Sequence, residues 1–244
     1  MVSQPRARLA VFASGGGSNL QAILDHLDQL GAAASAEVVL VVSDRAEAGA
    51  LERARQRDVA AVHLPNDQSA ALLPLLEQHG ATMIALAGYL RLVPPDVVAA
   101  FHGHLLNVHP ALLPAFGGPG MYGQRVHEAV IASRASLTGP TVHFVDERFD
   151  EGPNIAQWPV PVLPTDTPDE LARRVLTFEH LLYPRVIEAV AARRIRLGSD
   201  NRVIYDGVDV TRFTPVDTAA DALVQLEAGF PGPLTSDLGP RTSA

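Results

Sequence analysis

Five short apolar runs mark the first half of the chain: 9–13 (LAVFA), 37–43 (EVVLVVS), 60–64 (AAVHL), 82–88 (TMIALAG) and 104–109 (HLLNVH). Runs this short, with few polar interruptions, predict strands covered on both faces. The stretches between them, 19–30, 48–57, 69–79 and 95–102, carry apolar residues at helical spacing. The order β-α-β-α-β-α-β-α-β predicts an α/β fold on a mostly parallel, doubly wound sheet with helices on both faces and right-handed crossovers. Ligands of such sheets sit beyond the carboxyl ends of the strands, so function is sought in the residues that follow each strand.

The texture changes after Asn107. Residues 110–123 (PALLPAFGGPGMYG) are too rich in proline and glycine for a helix or a central strand and read as a loop. A helix over about 124–133 follows, then two strand-like runs, 136–147 and 154–162, joined by the turn Asp150-Glu151-Gly152-Pro153. A long amphipathic helix is expected over about 168–194, capped by Thr167 with Pro168 first and Glu170 third. From 214 the chain turns to Thr, Ala, Gly, Pro and Asp, so 1–213 reads as one domain and 214–244 as a tail, frayed or disordered from Gly229 onward.

Composition narrows the chemistry. Among 244 residues there is no cysteine, and all 19 basic residues are arginine. Thiolate nucleophiles, cysteine-held metals, Schiff-base lysines and a P-loop lysine are thereby excluded. The 27 acidic residues give a net charge of −8, which argues against a nucleic-acid surface. The N-terminal apolar run is too short for a signal or spanning segment, so no membrane partner and a cytoplasmic location are expected.

Three places could carry chemistry. Ser14-Gly15-Gly16-Gly17-Ser18-Asn19 lies between a strand and a helix, where free backbone N–H groups can face an anion. It lacks the third glycine of a dinucleotide fingerprint and the Walker lysine, so it fits one phosphate better than a pyrophosphate; a plain tight turn is the bland reading. Asn107-Val108-His109-Pro110 ends the fifth strand, and alternation puts Asn107 and His109 on one face, where an amide and an imidazole can hold an oxyanion. A core histidine beside a turn asparagine would look the same. Asp150 is either a turn carboxylate or the group that orients His109 and raises its pKa. His102-Gly103-His104 suggests a strand entry rather than a metal pair, and no metal is expected.

The segments SGGGSNLQAI (14–23), VVSDR (41–45), LAGYLRLVP (86–94), LLNVHPALLPAF (105–116), GPTVHFVDERFDEGP (139–153) and FEHLLYP (178–184) together resemble the phosphoribosylglycinamide formyltransferases. That resemblance implies a Rossmann-like sheet and transfer of a formyl group from 10-formyltetrahydrofolate to the amine of glycinamide ribonucleotide. It implies Asn107, His109 and Asp150 as the catalytic trio. Gly16, Gly17, Ser18, Asn19 and Glu179 would hold the ribonucleotide, with Glu179 on the ribose hydroxyls. Leu90, Arg91, Leu92, Val93, Asp146 and Glu147 would hold the folate. Residues of about 8–104 would then form the phosphate-binding half, and about 105–195 the folate-binding and catalytic half. The composition agrees, since a substrate amine is itself the nucleophile and needs only an oxyanion site, a proton path and positioning.

Three positions depart from the family pattern. Glu151 stands where a second glycine is common, Leu176 where a Lys or Gln can assist the phosphate, and GGPGMYG in the loop after His109 is expected to act as a lid over the substrate. With no lysine, an arginine such as Arg174 is expected to support the phosphate. Of the rival readings, methionyl-tRNA formyltransferase calls for a further domain and a basic surface, and formyltetrahydrofolate hydrolase for a regulatory N-terminal domain. A non-catalytic dinucleotide module would use Asp44 on a ribose but lacks the third glycine. The sequence leaves a homodimer open.

Overall fold

The computed structural model describes residues 5–231 apart from 212 and 217. A seven-stranded sheet forms its centre, built from β1 (Ala7–Phe12), β2 (Ala36–Ser43), β3 (Ala60–His63), β4 (Met83–Leu86), β5 (Leu105–His109), β7 (Thr141–Phe144) and β8 (Asn154–Gln157) in the order β3-β2-β1-β4-β5-β7-β8. The first five strands pair in parallel, while β7 runs antiparallel to both β5 and β8. The chain winds outward from β1 through β2 to β3, then returns to the other side of β1 with β4. The crevice between β1 and β4 is therefore the topological switch point.

Helices cover both faces, as the apolar runs predict. In β1, Leu9 and Val11 point into the core shared with α1 (Ser18–Leu30), α2 (Gly49–Arg55) and α6 (Pro168–Ala191). Ala10 and Phe12 point into the other core, shared with α3 (Leu72–Gln78) and α4 (Pro95–Ala100). This alternation, with no polar side on either face, is why the strand reads as an unbroken apolar run. Along α6, Leu171, Val175, Leu182, Val186 and Ile187 are fully buried, each stabilising the packing by roughly 1.5–3 kcal/mol. Thr167 and Glu170 form the expected capping box at its start. The Tyr183 hydroxyl lies 3.1 Å from the carbonyls of both Leu86 and Leu106, seating α6 across β4 and β5.

The structure adjusts several boundaries. The third helix is preceded by a 3-10 segment, Asn66–Ala71. The run 136–147 divides at Gly139-Pro140 into β6 (Leu137–Thr138) and β7, and 154–162 divides at Trp158-Pro159 into β8 and β9 (Val160–Pro161). Neither proline can donate to a ladder, so each breaks its strand; β6 and β9 pair separately. Beyond α6 a hairpin, β10 (Ile195–Leu197) and β11 (Val203–Tyr205), was not foreseen.

Residues 214–231, read from composition as the start of a tail, instead carry α7 (Ala219–Gly229). Ala222 and Leu226 are fully buried, Thr218 caps the helix through the Asp221 N–H, and Asp209 N–H donates to Gly229 O. Trp158 stacks on Phe178 at 5.6 Å and on Phe213 at 4.7 Å, and Phe213 stacks on Phe230, which ties this segment to the core. Of the stretch expected to fray from Gly229, residues 232–244 lie outside the described residues. Among the described residues no helix is long and apolar enough to cross a membrane.

Candidate active site

The carboxyl ends of β1, β4 and β5 open into a cleft of about 820 Å³. Its volume is at the upper end of small-molecule sites, enough for two substrates side by side. Leu90 to Val93 line it from β4, Asn107 and His109 from β5, Asp150 from the β7–β8 turn, and Asn19 and Glu179 from α1 and α6.

Asn107, His109 and Asp150, far apart in sequence, meet here. Asp150 Oδ2 accepts the Gly118 N–H at 2.9 Å and lies 3.4 Å from His109 Nδ1. Its Oδ1 lies 3.4 Å from Asn107 Nδ2 and 3.6 Å from His143 Nε2. Burial alone would raise the carboxyl pKa; the His143 hydrogen bond, the His109 charge and the Gly118 N–H outweigh it, and the net direction is down. Asp150 thus stays a carboxylate.

His109 is 3% exposed. Its Nε2 faces the Phe116 carbonyl at 2.8 Å and its Nδ1 faces Asp150, so both ring nitrogens meet acceptors and only the imidazolium can donate to both. Burial works against that form and lowers the pKa below the ordinary histidine value, while Asp150 and the Phe116 carbonyl pull upward without prevailing. Asp150 thus pulls the His109 pKa upward, as its functional reading expects, and burial outweighs that pull.

Two turns support the trio. Asp150 adopts a left-handed φ of 57°, and a Cβ on Gly152 would lie 1.9 Å from the Phe144 carbonyl. Only glycine fits there. Glu151 turns outward to Arg148, so the departure at Glu151 leaves the turn tight. Gly152→Ala is expected to cost about 1–3 kcal/mol of stability through overpacking and to lower kcat/KM by displacing Asp150, as thermal melts and steady-state kinetics would show.

The glycine turn after β1 is equally constrained. Gly17 has φ 77° and a Cβ there would lie 2.7 Å from Ala50 Cα, so α1 starts from a left-handed residue packed on α2. No side chain caps α1, which leaves its first amides free of side-chain partners. Within this turn, Asn19 lines the cleft while Gly16, Gly17 and Ser18 do not. Asn19 Nδ2 donates to Glu179 Oε2 at 2.7 Å. Glu179 is 7% exposed, and burial pushes its carboxyl up to about 7, against the pull of that bond.

On the other flank Leu90, Arg91, Leu92 and Val93 line the cleft, with the Leu90 N–H already held by Ser14 Oγ at 3.0 Å. Arg91 pairs with Asp44 at 3.2 Å. Asp146 and Glu147 do not line it; Arg148 and Phe149 do. Arg174 also stays outside, because both its Nη atoms are held by Asp166 at 2.7 and 2.6 Å. Among the described residues no group of three metal-ligating side chains forms.

Sequence reading missed His143 and His127. His143 sits opposite Asn107 in the β5–β7 register, with its Nε2 3.1 Å from Asn107 Nδ2. His127, on α5 (Gln124–Ala132), is buried at the cleft with its Nδ1 lacking a partner, and burial and His109 lower its pKa. The signal for His127 was its helical spacing from Gln124, which also lines the cleft.

Comparison with known proteins places this geometry. Residues 7–187 match the Formyl transferase family. The chloroplastic phosphoribosylglycinamide formyltransferase of Arabidopsis thaliana is 43% identical over 203 residues, covering 80% of this chain and 69% of that protein. Its counterpart in Vigna unguiculata is 44% identical over 201 residues, covering 80% of this chain and 64% of that protein. The chain thus spans about two thirds of the length of these plant relatives. The crystal structure of glycinamide ribonucleotide transformylase 1 from Symbiobacterium toebii superposes with a TM-score of 0.76 at 39% identity, over 82% of this chain and 94% of that one. The match spans the sheet, the cleft and most of α6: the chain belongs to the formyl transferase family.

Proposed function

We propose that this chain transfers the formyl group of 10-formyltetrahydrofolate to the primary amine of glycinamide ribonucleotide, a step of purine biosynthesis. The observation that carries this reading is the convergence of Asn107, His109 and Asp150 at the end of β5, in one cleft with the Asn19–Glu179 pair. In the reaction a bond forms between the amine nitrogen and the formyl carbon, the bond from that carbon to the folate nitrogen breaks, and the amine proton passes to the folate nitrogen. The Asn107 amide donates to the formyl oxygen as negative charge develops on it, and the His109 ring joins it when its Nε2–H exchanges the Phe116 carbonyl for that oxygen. Asp150 orients both donors and holds the charge of the imidazolium.

In this reading Asn19, the glycine turn and Glu179 take the ribonucleotide. Leu90 to Val93 take the folate, with Arg148 to Asp150 on its other side. The first part of the chain, about 8–104, supplies the phosphate turn, and about 105–195 the catalytic groups. Both substrates are small soluble molecules met in the cytoplasm, and the net charge of −8 supports a site without nucleic acid.

The assay mixes purified protein with 10-formyltetrahydrofolate, with and without glycinamide ribonucleotide, and follows tetrahydrofolate release. Release that requires the ribonucleotide is expected. Equal release without any amine acceptor would identify a hydrolase and overturn the transferase reading.

A further inference from the structure

A lysine-free chain carrying −8 has few cations to set against an anionic substrate. Three arginines line the cleft: Arg91, Arg148 and Arg173. Arg91 is committed to Asp44, and Arg148 to Glu151. Arg173 differs. Its Nε reaches the Asp169 backbone carbonyl at 3.3 Å, and among the described residues it forms no ion pair within 4 Å. The nearby Asp169 carboxylate accepts a hydrogen bond from Gln124 Nε2 at 2.7 Å.

Position adds to this. Asp169, Ala172, Arg173, Leu176 and Glu179 form the stripe of α6 that faces the cleft. The stripe continues from Glu179, which bonds Asn19 on α1, through apolar Leu176 to Arg173. Arg91 and Arg148, by contrast, stand on the β4 and β7–β8 flank. A guanidinium with unused donors, on the same cleft-facing stripe of α6 as Glu179, is suited to the oxygens of a phosphomonoester.

We infer that Arg173 is the cation that binds the 5′-phosphate of the amine substrate, in the place that Arg174 was expected to fill. This rests on the transferase reading above. One residue along a helix turns a side chain by about 100°, which is why Arg174 faces Asp166 while Arg173 faces the cleft.

The experiment compares wild type, Arg173→Gln and Arg173→Lys with glycinamide ribonucleotide and with its dephosphorylated riboside, at saturating 10-formyltetrahydrofolate. Arg173→Gln is expected to raise KM for the ribonucleotide by about 10- to 100-fold, the loss typical of a charge-assisted contact, with kcat within about threefold. The riboside should show the same kcat/KM in wild type and Arg173→Gln, and Arg173→Lys should recover part of the ribonucleotide affinity. Inorganic phosphate should compete with the ribonucleotide in wild type and lose potency in Arg173→Gln. An unchanged ribonucleotide KM, or an equal loss on the riboside, would overturn the inference. Wild type that transfers no formyl group to the ribonucleotide would instead overturn the function on which it rests.

Discussion

Asp150→Asn is expected to lower kcat/KM by about 100-fold or more while leaving the fold intact. Four groups converge on this carboxylate: Gly118 N–H, His109, Asn107 and His143. An asparagine replaces one acceptor oxygen by an NH2, so at least one of these donors meets another donor. The second consequence is electrostatic. Burial already lowers the His109 pKa, and Asp150 is the charge that opposes it. Without that charge, burial acts on His109 with less opposition and the imidazolium becomes scarcer near neutral pH. Loss of a single oxyanion donor typically costs about 100-fold or more, and this substitution disturbs both donors. Steady-state kinetics on folded protein checks it; a rate within about threefold of wild type would remove Asp150 from the mechanism.

Glu179→Gln should make the protein more stable than wild type at alkaline pH while weakening binding of the ribonucleotide. Burial raises the Glu179 carboxyl to about 7 from an ordinary 4.5, a difference of about 2.5 units, or about 3 kcal/mol. The folded pKa lies above the unfolded one. The stabilising effect of the bound proton is therefore complete below pH 4.5 and is lost as pH rises through about 7. Glutamine keeps an acceptor for Asn19 and carries no charge to desolvate. The two proteins should have similar stability near pH 4.5 and diverge toward about 3 kcal/mol above pH 8, roughly 6–12 °C in Tm for a chain of this size. Parallel Tm profiles across that range would show that Glu179 is not held neutral by burial. Such a cost is retained where function needs it: hydroxyl donors from a bound ribose would restore to the carboxylate the hydrogen bonds that burial removed.

The parts of the fold visible in the sequence are those where one element is buried on a simple pattern. β1, β2 and β4 lie between two helix layers and so read as apolar runs, and α6 announces itself through Thr167, Pro168 and Glu170. α7 was hidden because its buried positions are few, with Val224 exposed, although the Thr218 cap with Asp221 three residues later was a readable signal. In the site, alternation along β5 placed Asn107 and His109 together. That His143 would stand opposite Asn107 depended on the register of β7, which strand spacing does not encode. Sequence reading pointed to Arg174 and not to Arg173, because helical phase relative to the cleft requires knowing where the cleft lies.

The stacking of Trp158 between Phe178 and Phe213 has an optical consequence. Trp158 is the chain's single tryptophan, is fully buried and does not border the cleft. Its fluorescence is a built-in gauge of how the segment around Phe213 and Phe230 is seated on α6, separate from events among the side chains that line the cleft.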